Sequence, residues 1–473
     1  MKKSIVVIGA GISGLSAAYR LNKLKTQGGI DLEITVAEKS TSPGGTIHTE
    51  YTGGFVVEGG PDCYFAEKPY AGMLIKELGI ADRVIGTNSK NQGTSVLWHG
   101  KLYKLPEGVV LMIPTKFTPF VTSSLFSLAG KIRMGMDLLI PKRTDGVDES
   151  LAEFTIRRLG REALDRIAEP LVAGVHAGDP DTMSVRSSFP RFVDMEQKYG
   201  SLIRGMISAR RAMQRRRTAG SGAMFMTMKN GLQDLINTLQ QQSSQVQFKT
   251  GVEAQSIMRT HRSGEPAYVV TLSSGEQLKA DGVILAVPAY VSAGLIASLS
   301  GDLGMLLHSI PYVSTATVSL AYRKDSFGTA LKGFGFVVPK KENRRIMAAT
   351  WTSSKFSYRA PDDAVLIRLF VGGAAHGDMV FLPDREITDM VKSELNDILG
   401  VSAEPLLVRI YRWNRAMPQY TIGHESRVKT IEQMITGLGN IQLCGSAYHG
   451  IGISDCINSG NTAAQSVLKG LFG

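Results

Sequence analysis

Residues Ser4 to Gly14 read SIVVIGAGISG. A β-branched run feeds straight into G-x-G-x-x-G, and a helical apolar pattern follows it. No other stretch of the chain limits the fold so tightly. Gly9 permits a tight strand-to-helix turn, Gly11 lets a pyrophosphate come close to the backbone, and Gly14 lets helix and strand pack together. The helix N-terminus then offers free N–H groups and a positive dipole end to the phosphates. A second strand, 32–38, ends in Glu38, about 20 residues beyond the glycines, where a carboxylate accepts hydrogen bonds from ribose hydroxyls and repels a 2′-phosphate. The pattern predicts a βαβ unit that binds a dinucleotide. A purely structural turn with a solvated Glu38 is the competing reading, and the acid-ended second strand weighs against it.

Met1-Lys2-Lys3 ahead of an apolar run also resembles the start of a secretory signal. Cleavage near Ala17 would destroy an otherwise complete βαβ unit, so the glycine reading is preferred. The run from Val109 to Leu128 is broken by Pro114, Lys116 and Pro119 and does not read as a membrane span. At 473 residues, two or three domains with large cores are expected. Cys63, Cys444 and Cys456 show no C-x-x-C spacing, which argues against a disulfide framework or structural zinc and fits a reducing cytoplasm. The eight histidines are scattered, with no H-E-x-x-H, and suggest no metal.

The net charge of +11 asks for an anionic partner or an explanation. It is concentrated at 204–217, RGMISARRAMQRRR, which holds six arginines and no acid. A solvated, mobile loop is one reading; an anionic lipid surface or a multiply carboxylated substrate are the others. No zinc-finger, RRM or helix-turn-helix signature accompanies the run, so no nucleic-acid partner is expected.

Further along, Ser42–Thr49 holds the paired glycines Gly44 and Gly45, and 53–61 reads as a strand ending in Gly59-Gly60-Pro61. A helix is expected at 70–80, helical patterns at 150–159, 162–172 and 192–212, and a helix beginning within 227–239. Strands are expected at 246–248, 268–272, 277–278, 282–288, 311–322, 334–338, 364–371 and 406–411, with an amphipathic helix at 386–399. Those from 311 onward suggest an antiparallel sheet that walls a pocket. Residues 440–447 form a strand ending in small residues, and 449–460 turn into a final helix at 461–471, a second strand–glycine–helix unit.

GAGISGLSAAYRL, PGGTIHT and the C-terminal turn together resemble the amine-oxidase-type flavoprotein superfamily. Three features are more specific: GGPDCYFAEKP at 59–69, AEPLVAGVHAGDPDTMSVRSSFP at 168–190, and MPQYTIGH at 417–424 taken with GISDCINSG at 452–460. With them the whole chain is similar to the protoporphyrinogen/coproporphyrinogen III oxidase family, nearest its soluble Gram-positive type. The resemblance implies an α/β fold: a Rossmann-like FAD-binding domain, an antiparallel-sheet substrate domain and a helical insertion. The expected division is 1–60, 225–285 and 405–473 for FAD, 61–90 and 286–404 for substrate, and 91–224 for the insertion that caps the cavity.

The resemblance also implies an oxygen-dependent oxidase with non-covalent FAD, working in haem biosynthesis. Six electrons leave coproporphyrinogen III in three two-electron rounds, each passing a hydride to flavin N5, and three dioxygen molecules become three of hydrogen peroxide. It places Gly9, Ala10, Gly11, Ile12, Ser13 and Gly14 in the pyrophosphate loop, with Glu38 and Lys39 at the ribose. Gly44, Gly45 and Thr46 form a second flavin loop, where Thr46 stands in place of the arginine common in the superfamily. Glu58, Gly59, Gly60 and Pro61 lead onto the flavin, Val252 reaches the adenine through its backbone, Trp413 lies at the flavin edge, and Ile451, Gly452 and Ile453 lie at the pyrimidine end. The helix behind them would stabilise charge on reduced flavin through its N-terminus. Lys68 would pair with a substrate propionate; a plain surface lysine is the alternative. No carboxylate or histidine stands out as a general base.

Coproporphyrinogen III carries four propionates and protoporphyrinogen IX two. Each close ion pair contributes roughly a few kcal/mol before desolvation, so a basic chain suits the four-carboxylate substrate, and it equally suits peripheral contact with anionic lipid. Protoporphyrinogen IX oxidation is the alternative. An amine oxidase should show two rings caging the flavin; Tyr448 supplies one candidate and no second is evident. Carotenoid desaturation and a non-catalytic escort role are more distant, the latter because every loop glycine is intact. A ferrochelatase is the expected transient partner, the location is cytoplasmic, and monomer and homodimer both stay open.

Overall fold

The computed structural model describes residues 2–88, 93–106, 109–110, 113–114, 117–216, 223–260, 267–327 and 331–473. A five-stranded parallel sheet is assembled from distant parts of the chain. Its order is Val246–Thr250, Leu32–Glu38, Lys3–Ile8, Gly282–Leu285 and Ile441–Leu443. Strand Lys3–Ile8 lies in the middle, paired in register with Leu32 to Ala37 on one side and Gly282 to Leu285 on the other. Its buried-run composition is what a strand covered on both faces requires. Helices Ile12–Gly28 and Ile453–Phe472 pack against this sheet, in contact with each other. The glycines set how close they come: a Cβ on Gly460 would lie 2.1 Å from the Ser13 carbonyl oxygen.

The second sheet has seven strands, ordered Leu407–Pro418, Tyr312–Arg323, Ala364–Gly372, Ala348–Trp351, Gly335–Val337, Ser95–Trp98 and Lys101–Lys104. All neighbours are antiparallel except Gly335–Val337 with Ser95–Trp98. Two assignments shift. The strand expected at 406–411 runs to Pro418 and belongs to this sheet, and the 91–224 stretch opens with a hairpin that extends it. Alternation alone does not reveal which sheet a strand joins.

The rest of that stretch is largely helical. Helix Leu151–Leu159 starts at a capping box, with Ser150 Oγ accepting from Glu153 N and the Glu153 carboxylate accepting from Ser150 N, each at 3.0 Å. Fully buried Arg158 bonds Asp137 at 2.6 Å, and Arg157 reaches Glu196 at 2.6 Å. The arginine-rich segment is helix Leu202–Arg216 rather than a loop; Arg217 lies outside the described residues. Among the described residues no helix is long and apolar enough to cross a membrane.

Two other boundaries move. Phe225–Met228 is a strand, paired with Tyr64–Phe65 and Val84–Gly86, and the helix after it is Gln233–Gln242. The final helix begins at Ile453, eight residues earlier than expected, so ISDCINSG is already helical.

Candidate active site

The parallel strands deliver their C-terminal ends to one edge, where open α/β sheets bind ligands. Gly9 turns there with φ +98°, and its N–H donates to Ala37 O at 2.8 Å. A Cβ on Gly9 would lie 2.7 Å from Ala286 O, and one on Gly14 1.9 Å from Gly9 O. Those two glycines are demanded by packing. Gly11 differs: a Cβ there meets nothing nearer than Gly45 Cα at 4.0 Å, so the space in front of it is open. Helix Ile12–Gly28 begins directly behind Gly11, with no side chain capping it and no acid in its first turn. Its N–H groups are therefore available to an anion. Gly44 N donates to Ala10 O at 2.9 Å and bridges Gly11, which brings the second glycine loop over the first.

Glu38 closes the other end. Its Oε2 accepts from Ala10 N at 2.6 Å and its Oε1 from Ser40 N at 2.8 Å, and each oxygen keeps a lone pair for a ribose hydroxyl. Val252 N donates to Glu38 O at 3.0 Å, which sets Val252 beside the acid. Lys39 points away to Glu253 at 3.0 Å. Thr46 is exposed and its carbonyl lies against Gly60, where a Cβ would come within 1.6 Å of it.

Gly59 and Gly60 lie across the seven-stranded sheet. Gly59 O accepts from Thr317 Oγ1 and Trp413 Nε1, both at 2.8 Å, and Gly60 O accepts from Arg368. Thr317, Arg368 and Trp413 come from three adjacent strands. The Glu58 side chain is turned elsewhere. Its carboxylate accepts from Thr49 Oγ1 at 2.7 Å and Leu232 N at 2.9 Å and so anchors the start of helix Gln233–Gln242. Burial pushes Glu58 up to about 7, against the pull of Thr49 and Arg359.

The family-like stretches converge. Lys68 Nζ meets Asp455 Oδ2 at 2.6 Å, and Ser454 Oγ donates to Lys68 O at 3.2 Å, joining 59–69 to 452–460. Ser184 N donates to Tyr420 O at 2.8 Å, Ile422 N to Thr182 O at 3.1 Å and Gln419 Nε2 to His176 O at 3.1 Å, joining 168–190 to 417–424. Tyr420 Oη accepts from Gly450 N at 2.7 Å. His176 is pushed down to about 4 by burial and by the charge of Lys68.

Asp455 changes two expectations. It sits in the first turn of helix Ile453–Phe472 and accepts from Gly452 N at 3.3 Å. That N-terminus, flanked by Ile451 and Ile453, already holds an anion, unlike the one behind Gly11. Lys68, half-exposed, already holds that anion as its partner. Tyr448 is 6% exposed within the core beside Tyr312, and the Tyr420 ring stacks on His424 at 4.0 Å. Tyr448 is thus no wall of an open aromatic cage.

Asp62, Lys355 and Arg368 did not emerge from the sequence. Asp62 Oδ2 and Lys355 Nζ pair at 2.9 Å beside the Gly59–Gly60 seam. One signal was present: Arg368 is the charged residue in the otherwise apolar, buried strand AVLIRLFVG.

Among known proteins, residues 12–468 match the family described as flavin containing amine oxidoreductase. The chain is 35% identical to coproporphyrinogen III oxidase of Bacillus subtilis, covering 100% of this chain and 99% of that protein. It is 31% identical to coproporphyrinogen III oxidase of Staphylococcus aureus, covering 100% of both. A crystal structure from Exiguobacterium sp. 255-15 matches with a TM-score of 0.84 at 30% identity, over 99% of each chain. The cofactor is FAD. The open space before Gly11, the uncapped helix and the free lone pairs of Glu38 fit its pyrophosphate and ribose.

Proposed function

We propose, for an oxidoreductase that belongs to the flavin containing amine oxidoreductase family, that its substrate is a porphyrinogen. The reaction is the oxidation of coproporphyrinogen III to coproporphyrin III in haem biosynthesis, with three dioxygen molecules reduced to three of hydrogen peroxide. The observation that carries it is the joining of the family-like stretches in space: 59–69 to 452–460 through Lys68 and Asp455, 168–190 to 417–424 through Ser184 and Tyr420, and Tyr420 in turn to Gly450 at the turn before 452–460. The bacterial relatives' name favours coproporphyrinogen over protoporphyrinogen.

Bound FAD supplies the two-electron acceptor and the route to dioxygen. The chain supplies position. Gly9 to Gly14, Glu38 and Val252 hold the nucleotide end; Gly44 to Thr46, Gly59 to Pro61, Trp413 and Ile451 to Ile453 frame the ring end. Lys68 exchanges Asp455 for a substrate propionate, a swap of one carboxylate for another at a half-exposed ammonium. The helical insertion covers the cavity.

The insertion also carries a surface suited to an anionic bilayer. Val121, Leu128, Ile132, Met136 and Leu139 are 59%, 75%, 60%, 44% and 81% exposed. Arg204 of the arginine-rich helix donates to Leu138 O at 3.2 Å, which places the charge next to that ridge. The porphyrin passes on to a ferrochelatase.

The test is aerobic turnover of purified yellow protein on coproporphyrinogen III and protoporphyrinogen IX, following porphyrin fluorescence and peroxide together. Faster turnover of the four-propionate substrate with about three peroxides per porphyrin is expected. Preference for protoporphyrinogen reverses the substrate; turnover of neither overturns the reaction.

A further inference from the structure

We propose that the Asp62 carboxylate stabilises the positive charge that develops on the porphyrinogen as hydride leaves a meso carbon, and that Lys355 and Arg368 hold it there. The inference rests on the porphyrinogen reading above. Asp62 stands next to Pro61 at the end of the seam that Arg368, Thr317 and Trp413 fasten to the seven-stranded sheet. Its Oδ2 accepts from Lys355 Nζ at 2.9 Å and its Oδ1 from Cys63 Sγ at 3.0 Å. The ammonium is framed by aromatic faces, 5.0 Å from the Phe356 ring centre and 5.6 Å from that of Phe225.

Two facts separate this pair from an ordinary structural ion pair. Both side chains are largely buried, and burial opposes the charge on each. Yet the Asp62 and Lys355 side chains keep 15% and 12% of their surface accessible, so the pair is not sealed off. The buried pair of the insertion, Arg158 with Asp137, is closed completely at 0% for both.

The chemistry of the substrate calls for such an anion. When a meso C–H bond breaks and both electrons leave with the hydrogen, the macrocycle keeps one positive charge spread over the adjacent pyrroles. Loss of one proton then restores neutrality, so each round removes one hydride and one proton; over the three rounds the protons come from two pyrrole N–H groups and from the fourth meso carbon. A carboxylate facing those N–H groups binds them before the step and binds the cation more strongly during it. Burial opposes its charge, but Lys355 and Arg368 hold Asp62 well below the usual carboxylate range. So strong an acid is a poor proton acceptor. Its contribution is electrostatic, and the proton passes to water.

The experiment is anaerobic mixing of the FAD-loaded enzyme with coproporphyrinogen III, reading the bleaching of flavin absorbance, followed by reoxidation with dioxygen. Asp62→Asn should bleach on the order of a hundredfold more slowly, with reoxidation unchanged. Because that change strands the Lys355 charge, the double variant Asp62→Asn/Lys355→Met is measured beside it. Its thermal midpoint should recover while bleaching stays slow. Wild-type bleaching rates in Asp62→Asn, or a double variant that regains them, overturn the inference alone. A wild-type protein that porphyrinogen fails to bleach overturns the reaction and the inference together.

Discussion

The dinucleotide cradle and the proposed substrate wall are built on opposite principles. The cradle uses backbone N–H groups, carbonyls and missing side chains, supplied by short contiguous stretches at 9–14, 38–40 and 44–46. The wall uses charged side chains brought together from far apart: Asp62 with Lys355, Lys68 with Asp455, Arg368 with Gly60. Close packing needs a local pattern, whereas a charge constellation needs the finished topology. The two should therefore fail differently when altered.

The largest effect is expected in the cradle. Gly14→Ala places a methyl 1.9 Å from a backbone oxygen that has no room to retreat. It should cost more than about 5 kcal/mol and lower the thermal midpoint of whatever soluble protein is recovered, with or without FAD. Gly11→Ala, at a negative φ with open space ahead, should stay within about 0.5 kcal/mol of the wild type yet weaken FAD by roughly tenfold or more. Calorimetry with and without FAD separates the two. If both lose stability equally, Gly11 is a packing glycine and the open cradle is wrong.

In the wall, Lys355→Met leaves the largely buried Asp62 without its ion-pair partner, so a loss of about 3–5 kcal/mol is expected in urea unfolding. A loss under about 1 kcal/mol would mean that the pair is solvated like a surface bridge.

Glu58 joins the two regions and gives a smaller, pH-dependent effect. Its carboxyl titrates at about 7 when folded and near 4.5 when free. Between those values the native state binds more protons than the unfolded one. Stability from this group is complete below about pH 4.5, falls as pH rises to about 7, and levels off above. His176 and His424, each pushed down to about 4, act with the opposite sign as pH falls below 6.5. The comparison is therefore Glu58→Gln against wild type at each pH. The variant should gain a few kcal/mol, on an order-of-magnitude basis, between pH 5 and 8; parallel curves would place Glu58 in the ordinary carboxylate range.

The smallest effect lies far from both regions. Ser150→Ala removes one N-cap in the insertion and should cost about 1 kcal/mol with flavin bleaching unchanged.

The same contrast explains what the sequence disclosed. Gly9 to Gly14 and Glu38 were legible because strand, turn and helix follow one another without a break. The paired glycines 44–45 and 59–60 were legible as close-approach positions, but not that Glu58 turns inward to cap a helix. The start of the last helix was placed late because Gly450 and Gly452 read as turn while Asp455 supplies the cap three residues on. Lys68 reads as a propionate partner or a plain surface lysine, because Asp455 lies 387 residues away and nothing in the sequence signals the pairing. Asp62 sat within GGPDCYF unremarked, since an acid after a Gly-Gly-Pro turn reads as solvated until Lys355 arrives from a helix 293 residues later.

The most direct test of the central claim is anaerobic mixing of the purified yellow protein with coproporphyrinogen III in one syringe and a primary amine such as putrescine in another. Rapid loss of flavin absorbance with the porphyrinogen, and none with the amine, is the result expected. Bleaching by the amine alone would contradict it, and would return Tyr448 and the C-terminal turn to the reading of an amine oxidase.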